Sequence, residues 1–300
     1  MTKPMSLREQ LRLALTAAGL APNHRLGQNF MVDGGALDTL IRHAEIGPGS
    51  RVVEIGPGTG FLTQRLLGQG ATVCAVELDS GLHAYLGKHF LAQREAEHLQ
   101  LVHGDALAGK TALHPAIVSF AKQGPWKLVS NLPYDISIPA LLNALTMADG
   151  ASKAVVTVQW EAAQRLISPA GSNSWGATAA VAQAAGRGEV VAKLPPRCFY
   201  PPPRVDSAVL MWQRQPAMDR LEGFAGWCRH LFSYRRKRLS RALRDCGWPR
   251  DSATTLVSAL GLAEDLRVEQ LTVAQLAQVY GAYNPTATGD TADTVHEKGL

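Results

Sequence analysis

The sequence predicts an α/β fold, in which a doubly wound sheet covered by helices on both faces is followed by a small all-α domain. Three observations predict it. From residue 51 onward, short apolar runs alternate with stretches of helical period, and such alternation specifies a parallel sheet. Beyond residue 214, "LEGFAGWCRHLF", "RKRLSRALRDC", "PRDSATTLVSAL" and "TVAQLAQVYGAY" are helical in period with no strand between them. With 300 residues and 46% hydrophobic content, the chain can bury one large core and a smaller one.

Ser6 to Gly19 reads as an amphipathic helix: Ser6 and Glu9 have capping-box spacing, Leu7, Leu11, Ala14 and Leu15 share a face, and Gly19 stops it. A polar loop, "NHRLGQNFMVD", leads to a second helix over Gly35 to Ala44. The alternating region then gives strand "RVVEI", helix "FLTQRLLGQ", strand "ATVCAVE", helix "SGLHAYLGKHFLAQ" and strand "LQLVHG". A weaker helix near Pro115 to Lys122 precedes strand "KLVS" and the helical pattern "IPALLNALTM". Strand "AVVTVQ", helices in "EAAQRLI" and "WGATAAVAQAA", and strands "GEVVAKL" and "SAVLMWQ" complete the region. The expected domains are therefore 1–214 and 215–284, with a polar, turn-rich tail at 285–300 expected to be disordered.

Net charge is +5, yet "RRKRLSRALR" (Arg235 to Arg244) alone holds six positive groups, so the basic character is local. Charge alone leaves open whether this basic helix is a footprint for a polyanion or a solvated face. Cys74, Cys198, Cys228 and Cys246 are far apart and lack zinc-ligand spacing, which points to buried thiols and no metal site. No apolar run reaches the roughly 18 residues of a membrane span, and the start lacks a signal-peptide pattern. The expectation is a cytoplasmic protein without a membrane partner.

Gly56, Gly58 and Gly60 follow the first strand at the mouth of a helix, where glycine permits a tight turn and close approach of a ligand. Phe61 stands where a dinucleotide fingerprint needs glycine or alanine, so an NAD-dependent oxidoreductase has little support. Glu77 ends the second strand, 21 positions after Gly56, where a carboxylate can take both hydroxyls of a ribose. Asp105 ends the third strand and can take an adenine amino group. Three successive strand ends thus carry groups suited to adenosine.

"NLPY", Asn131 to Tyr134, lies beyond the fourth strand, where open α/β sheets bind ligands. With S-adenosylmethionine as cofactor, the Asn131 oxygen and the carbonyl of Leu132, stiffened by Pro133, can accept both N–H groups of an adenine amine. That turns its lone pair toward the methyl group. Tyr134 can stack on a flipped-out base, worth about 1–3 kcal/mol. Catalysis would come from orientation and proximity rather than from a strong base.

"LGQNFMVD", "EIGPGTG", "VELD", "GDAL", "NLPYDIS", "FYPPPRVDSAVL" and "FSYRRKRLSRAL", in this order, resemble the ribosomal RNA adenine N6,N6-dimethyltransferases. The likeness is to the small-subunit (16S) member and runs to about residue 283. It implies a Rossmann-like class I methyltransferase sheet with a small helical domain, S-adenosylmethionine as cofactor, and dimethylation of two adjacent adenosines near the 3′ end of the RNA. It also implies an immature small ribosomal subunit as partner and a monomeric enzyme. By position, Gln28, Asn29 and Met31 would wrap the cofactor, with Gly56, Gly58, Glu77, Asp105, Ala106 and Asn131 completing the site. Phe199 would be the second aromatic face of the base clamp, and Arg204, Arg235, Arg236, Lys237 and Arg238 would contact RNA.

Three positions depart from the family pattern: Trp160 replaces the lysine of a "QKE" segment, "SNSWGATAA" replaces one like "SKAYGRLSV", and Asp135 replaces an asparagine. The two tryptophans read as core replacements. Two other readings stay open: a related large-subunit (23S) adenine methyltransferase of the macrolide-resistance type, and a largely non-catalytic assembly factor on the same fold.

Overall fold

The computed structural model describes residues 5–23, 26–109 and 111–282; the expected disordered tail lies outside them. Helix α1 (Leu7–Ala17) is capped by Ser6, whose hydroxyl accepts from the Glu9 amide while Glu9 returns the bond, so the capping box is complete. Leu11 and Leu15 are its buried stripe. The short strand β1 (Phe30–Met31) leads into α2 (Gly34–Ala44), which starts on the Asp33 carboxylate.

The alternating region folds as β2 (Arg51–Ile55), α3 (Phe61–Gly68), β3 (Thr72–Glu77), α4 (Ser80–His89), α5 (Leu91–Glu95) and β4 (Leu99–His103). The helix expected over "SGLHAYLGKHFLAQ" is thus two, broken at Phe90. Phe90 leaves helical backbone, at φ −110° and ψ 31°, and its ring is buried so close to Gly60 that a Cβ there would lie 2.5 Å from it. Next come α6 (Pro115–Ala121), β5 (Lys127–Asn131), α7 (Tyr134–Thr146), β6 (Lys153–Gln159), α8 (Trp160–Leu166), α9 (Ala177–Ala185) and β7 (Gly186–Leu194). The short β8 (Phe199–Tyr200) and then β9 (Ser207–Arg214) close the sheet region.

Seven strands form one sheet in the order β4-β3-β2-β5-β6-β9-β7. The pairs from β4 to β6 are parallel, but β9 runs antiparallel to both β6 and β7, which corrects the expectation of a parallel sheet throughout. Only the "PPRCFYPPPRVD" segment joins β7 to β9. With only a single 3-10 turn (Pro196–Cys198) and no α-helix to carry a crossover, the chain returns alongside itself in the opposite sense.

The chain reverses its order of addition between β2 and β5, and there the ladder registers only Val52 with Lys127 and Val53 with Leu128. Past that point the buried Ser130 hydroxyl donates to the Ile55 carbonyl at 2.6 Å, so the carboxyl ends part without orphaning that carbonyl. Such a switch point is where open α/β sheets hold ligands.

Helices α10 (Leu221–Phe232), α11 (Leu239–Asp245), α12 (Arg250–Ala259) and α13 (Val273–Ala282) follow. The α10 helix packs on α9 and α7, and its Phe224, Cys228 and Leu231 share one hydrophobic cluster with Val156 and Trp212 of the sheet. Helix α11 begins at Leu239, so Arg235 to Lys237 form a turn and Arg238 caps the helix; the basic helix expected from Arg235 onward is shorter by four residues. The cysteines are free, three of them buried, and burial pushes the Cys74 thiol up to about 12.

Candidate functional site

One cavity of about 260 Å³ opens at the carboxyl ends of β2, β3, β4 and β5. Each of its walls comes from a different stretch of sequence. The arm that ends in β1 contributes Gln28, Asn29 and Met31, and the turn after β2 contributes Gly56 and Gly58. Glu77 ends β3, while Asp105 and Ala106 lie two and three residues past β4; Asn131, Leu132, Pro133 and Tyr134 form the far wall. The structure therefore brings together all the residues expected at the cofactor and all four of "NLPY".

The glycine turn is shaped as much by its protein neighbours as by any ligand. Gly56 has φ +69° and lies so near Pro133 that a Cβ would be 3.2 Å from its ring; Gly58 has φ +61° and would meet Phe30 at 2.9 Å. A left-handed backbone and a close approach coincide at both positions, which only glycine satisfies at low cost.

Glu77 is buried, and its two carboxylate oxygens accept from the Gly58 amide at 3.0 Å and the Asp79 amide at 2.9 Å. Burial pushes its pKa up, against the lowering effect of those two bonds. The carboxylate is held rigidly at the cavity wall, and each oxygen keeps a lone pair for a hydroxyl. Asp79 also receives a bond from the Gln28 amide at 3.2 Å, which ties the arm to the start of α4. The Asp105 carboxylate is exposed and accepts from the Leu107 amide at 2.9 Å.

Asn131 sits half-buried at the last position of β5. Its side-chain amide donates to the Asn29 carbonyl at 2.9 Å, and its oxygen accepts the Thr157 hydroxyl. The oxygen is therefore already committed on one side, with a single lone pair left to face the cavity. Helix α7 starts at Tyr134 rather than at Ile138, so that residue stands on the first turn of a helix instead of in a loop. Its hydroxyl lies 2.6 Å from the buried Ser207 hydroxyl, and burial pushes its pKa up.

Phe199, expected to be the second face of the base clamp, does not line this cavity. It is fully buried, paired through β8 with Met31 of β1, and packed with Leu37, Val155 and Val209. The ring is enclosed on all sides and packs against the strand that carries Met31. Arg204 is exposed, three residues before Ser207. Arg235, Arg236, Lys237 and Arg238 are exposed on the turn before α11. Lys237 pairs with Asp245 at 2.8 Å and Arg235 lies 4.0 Å from Glu269, whereas Arg236 and Arg238 have no carboxylate partner among the described residues.

Trp175 is buried as expected, but Trp160 is half-buried beneath the Lys193 ammonium, 4.8 Å from its ring centroid. Sequence reasoning missed Glu54. This buried acid lines the cavity, accepts from the Thr63 hydroxyl at 2.7 Å, and has its pKa pushed up to about 8, chiefly by burial. The available signal was a lone carboxylate between the apolar residues Val53 and Ile55 of β2. Asp135 also lines the cavity, at its exposed mouth.

The chain is similar to known proteins along most of its length. The family model described as ribosomal RNA adenine dimethylase matches residues 19–284. The chain is 35% identical over 267 residues to a ribosomal RNA small subunit methyltransferase A of Phenylobacterium zucineum, covering 88% of this chain and 89% of that protein. It is 36% identical over 268 residues to the protein of the same description from Leifsonia xyli, covering 87% and 92%. Among solved structures, a dimethyladenosine transferase from Plasmodium falciparum superposes with a TM-score of 0.68 at 21% identity, over 83% of this chain and 95% of that one. The 23S rRNA methyltransferase ErmE superposes at 0.61 and 22% identity, over 84% and 98%. Those two likenesses establish a shared Rossmann-like methyltransferase fold. The family match over nearly the whole chain, together with relatives above the 30% level, makes this protein a member of the ribosomal RNA adenine dimethylase family.

Proposed function

We propose that this protein transfers methyl groups from S-adenosylmethionine to the exocyclic N6 of two adjacent adenosines near the 3′ end of small-subunit (16S) ribosomal RNA. The observation that carries the reading is the single cavity in which Glu77, Asp105 and the glycine turn face Asn131 and Tyr134. Its size and concavity suit one small cofactor with a target base at its mouth. The small-subunit description of the similar curated proteins favours that RNA over its large-subunit counterpart.

The cofactor, when bound, supplies an electrophilic methyl group on a sulfonium. Glu77, fixed by two backbone amides, accepts the ribose hydroxyls, and Gln28, Asn29 and Met31 close over the ligand from the arm. Exposed Asp105 takes the adenine amine. The remaining lone pair of the Asn131 oxygen and the carbonyl before Pro133 hold the two N6–H groups, turning the amine lone pair out of the ring plane. Tyr134 provides one aromatic face for the flipped base. Effective concentration and alignment supply most of the rate enhancement: the groups at the cavity hold geometry, and the proton that N6 gives up as it gains a methyl group passes to solvent.

Residues 1–214 act in this reading as the cofactor-binding unit and 215–284 as an RNA-binding unit, with Arg204, Arg235, Arg236, Lys237 and Arg238 on the RNA backbone. The substrate is an immature small subunit, met by a monomer in the cytoplasm. Among the described residues, no helix is long and apolar enough to cross a membrane.

The test is transfer of labelled methyl groups to immature small subunits and, in parallel, to large-subunit RNA, with mass analysis of the nucleosides. Dimethyladenosine confined to small-subunit RNA is the expected result. Label on large-subunit RNA alone would reassign the substrate, and cofactor binding without transfer to either RNA would remove the enzymatic reading.

A further inference from the structure

Two hydroxyls on neighbouring strands touch the two side chains that would meet the target base. Thr157 of β6 is fully buried, is the register partner of Asn131 across the parallel β5–β6 pair, and donates its hydroxyl to the Asn131 oxygen. Ser207 of β9 is fully buried, opposite Gln159 of β6, and shares a hydrogen bond with the Tyr134 hydroxyl at 2.6 Å. Neither residue lines the cavity. Among buried apolar neighbours such as Val156, Val158, Ala208 and Val209, a buried hydroxyl costs free energy unless it finds a partner. In each case the partner found is a side chain of "NLPY".

We propose that Thr157 and Ser207 are positioning residues, which fix the amide plane of Asn131 and the ring of Tyr134 for methyl transfer. The inference rests on the function proposed above. The Asn29 carbonyl can only accept and the Thr157 hydroxyl faces the oxygen, so the two contacts allow one orientation of the Asn131 amide. Its second lone pair is then aimed without a search over rotamers. Without Thr157 the amide keeps only its Asn29 contact and can swing about its terminal torsion, a broad and weakly restrained angle. Ser207 does the same for Tyr134 by anchoring the far end of the ring.

Thr157→Val preserves shape and removes only the hydroxyl. It is expected to lower kcat about tenfold, the worth of one net hydrogen bond, with KM for S-adenosylmethionine and melting temperature unchanged. Thr157→Ser restores the hydroxyl and should restore most of the rate. In the Asn131→Ala background the valine substitution should cost nothing further, because a positioning residue has nothing left to position. The side-chain amide resonances of Asn131, observed without cofactor, should shift in Thr157→Val while backbone amides of the sheet do not. Ser207→Ala should behave in the same way against Tyr134→Phe. Unchanged kcat in Thr157→Val, or an additive loss on top of Asn131→Ala, would overturn the proposal while leaving the enzymatic reading intact. A wild-type protein that binds cofactor and methylates no RNA would overturn both.

Discussion

Glu54 shows how one side chain couples the cavity to the stability of the whole fold. Burial dominates its environment, and neighbouring Glu77 adds to the upward push while the Thr63 hydroxyl opposes it, leaving a pKa of about 8 against an ordinary 4.5. The folded protein thus keeps a proton that the unfolded chain releases. The resulting stabilisation is complete below about pH 4.5 and is lost as pH rises toward 8. Glu54→Gln, neutral at every pH, should therefore raise the melting temperature over the wild type most at pH 8, on the order of 5 °C, and little at pH 4.5. A gain of equal size at both pH values would show that Glu54 ionisation is not linked to folding. Because Glu54 and Glu77 line the same cavity, a ligand that brings a positive charge should also shift this balance.

At the scale of elements, the turn between α10 and α11 presents its charges in two ways. Lys237 is held by Asp245, which also lies 3.3 Å from Arg241, and Arg235 leans toward Glu269. Arg236 and Arg238 are exposed and unpaired among the described residues, so they are the charges most available to phosphate. Replacing both by Glu should weaken RNA binding at low salt and reduce the slope of log affinity against log salt by about two, one per lost phosphate contact. An unchanged slope measured by titration at several salt concentrations would place the RNA elsewhere. Both residues precede the buried face of α11, so the fold should tolerate the change. Melting temperature is the control.

Over the whole molecule, the sheet and the C-terminal helices share apolar contacts. Phe224 of α10 is fully buried, lies edge-on to Tyr280 of α13, and belongs to the cluster that includes Trp212 of β9 and Trp175 before α9. Phe224→Ala should cost about 3–5 kcal/mol. Because the cluster is continuous across residue 214, that loss should lower a single calorimetric transition for the entire chain. Two separated transitions, with only one moved by the substitution, would mean that the helices unfold independently of the sheet. The same continuity ties the helices that flank the basic turn to the sheet that carries the cavity.

What the sequence determined by itself was local and periodic. The capping box at Ser6, the alternation from β2 to β5, the glycine turn, and the strand-end positions of Glu77 and Asn131 all rest on spacings of a few residues, and the structure keeps each of them. The ordered motifs also carried the likeness to the family in which the chain belongs. Tertiary structure decided whatever depended on partners distant in sequence. The family likeness implies a base-clamp role for Phe199, but its pairing with Met31, far earlier in the chain, encloses the ring. The antiparallel return of β9 places Ser207 beside Tyr134, and parallel pairing of β5 with β6 places Thr157 beside Asn131. Periodicity reports which face of an element is apolar, whereas the identity of the group opposite it is set only when the strands find their register.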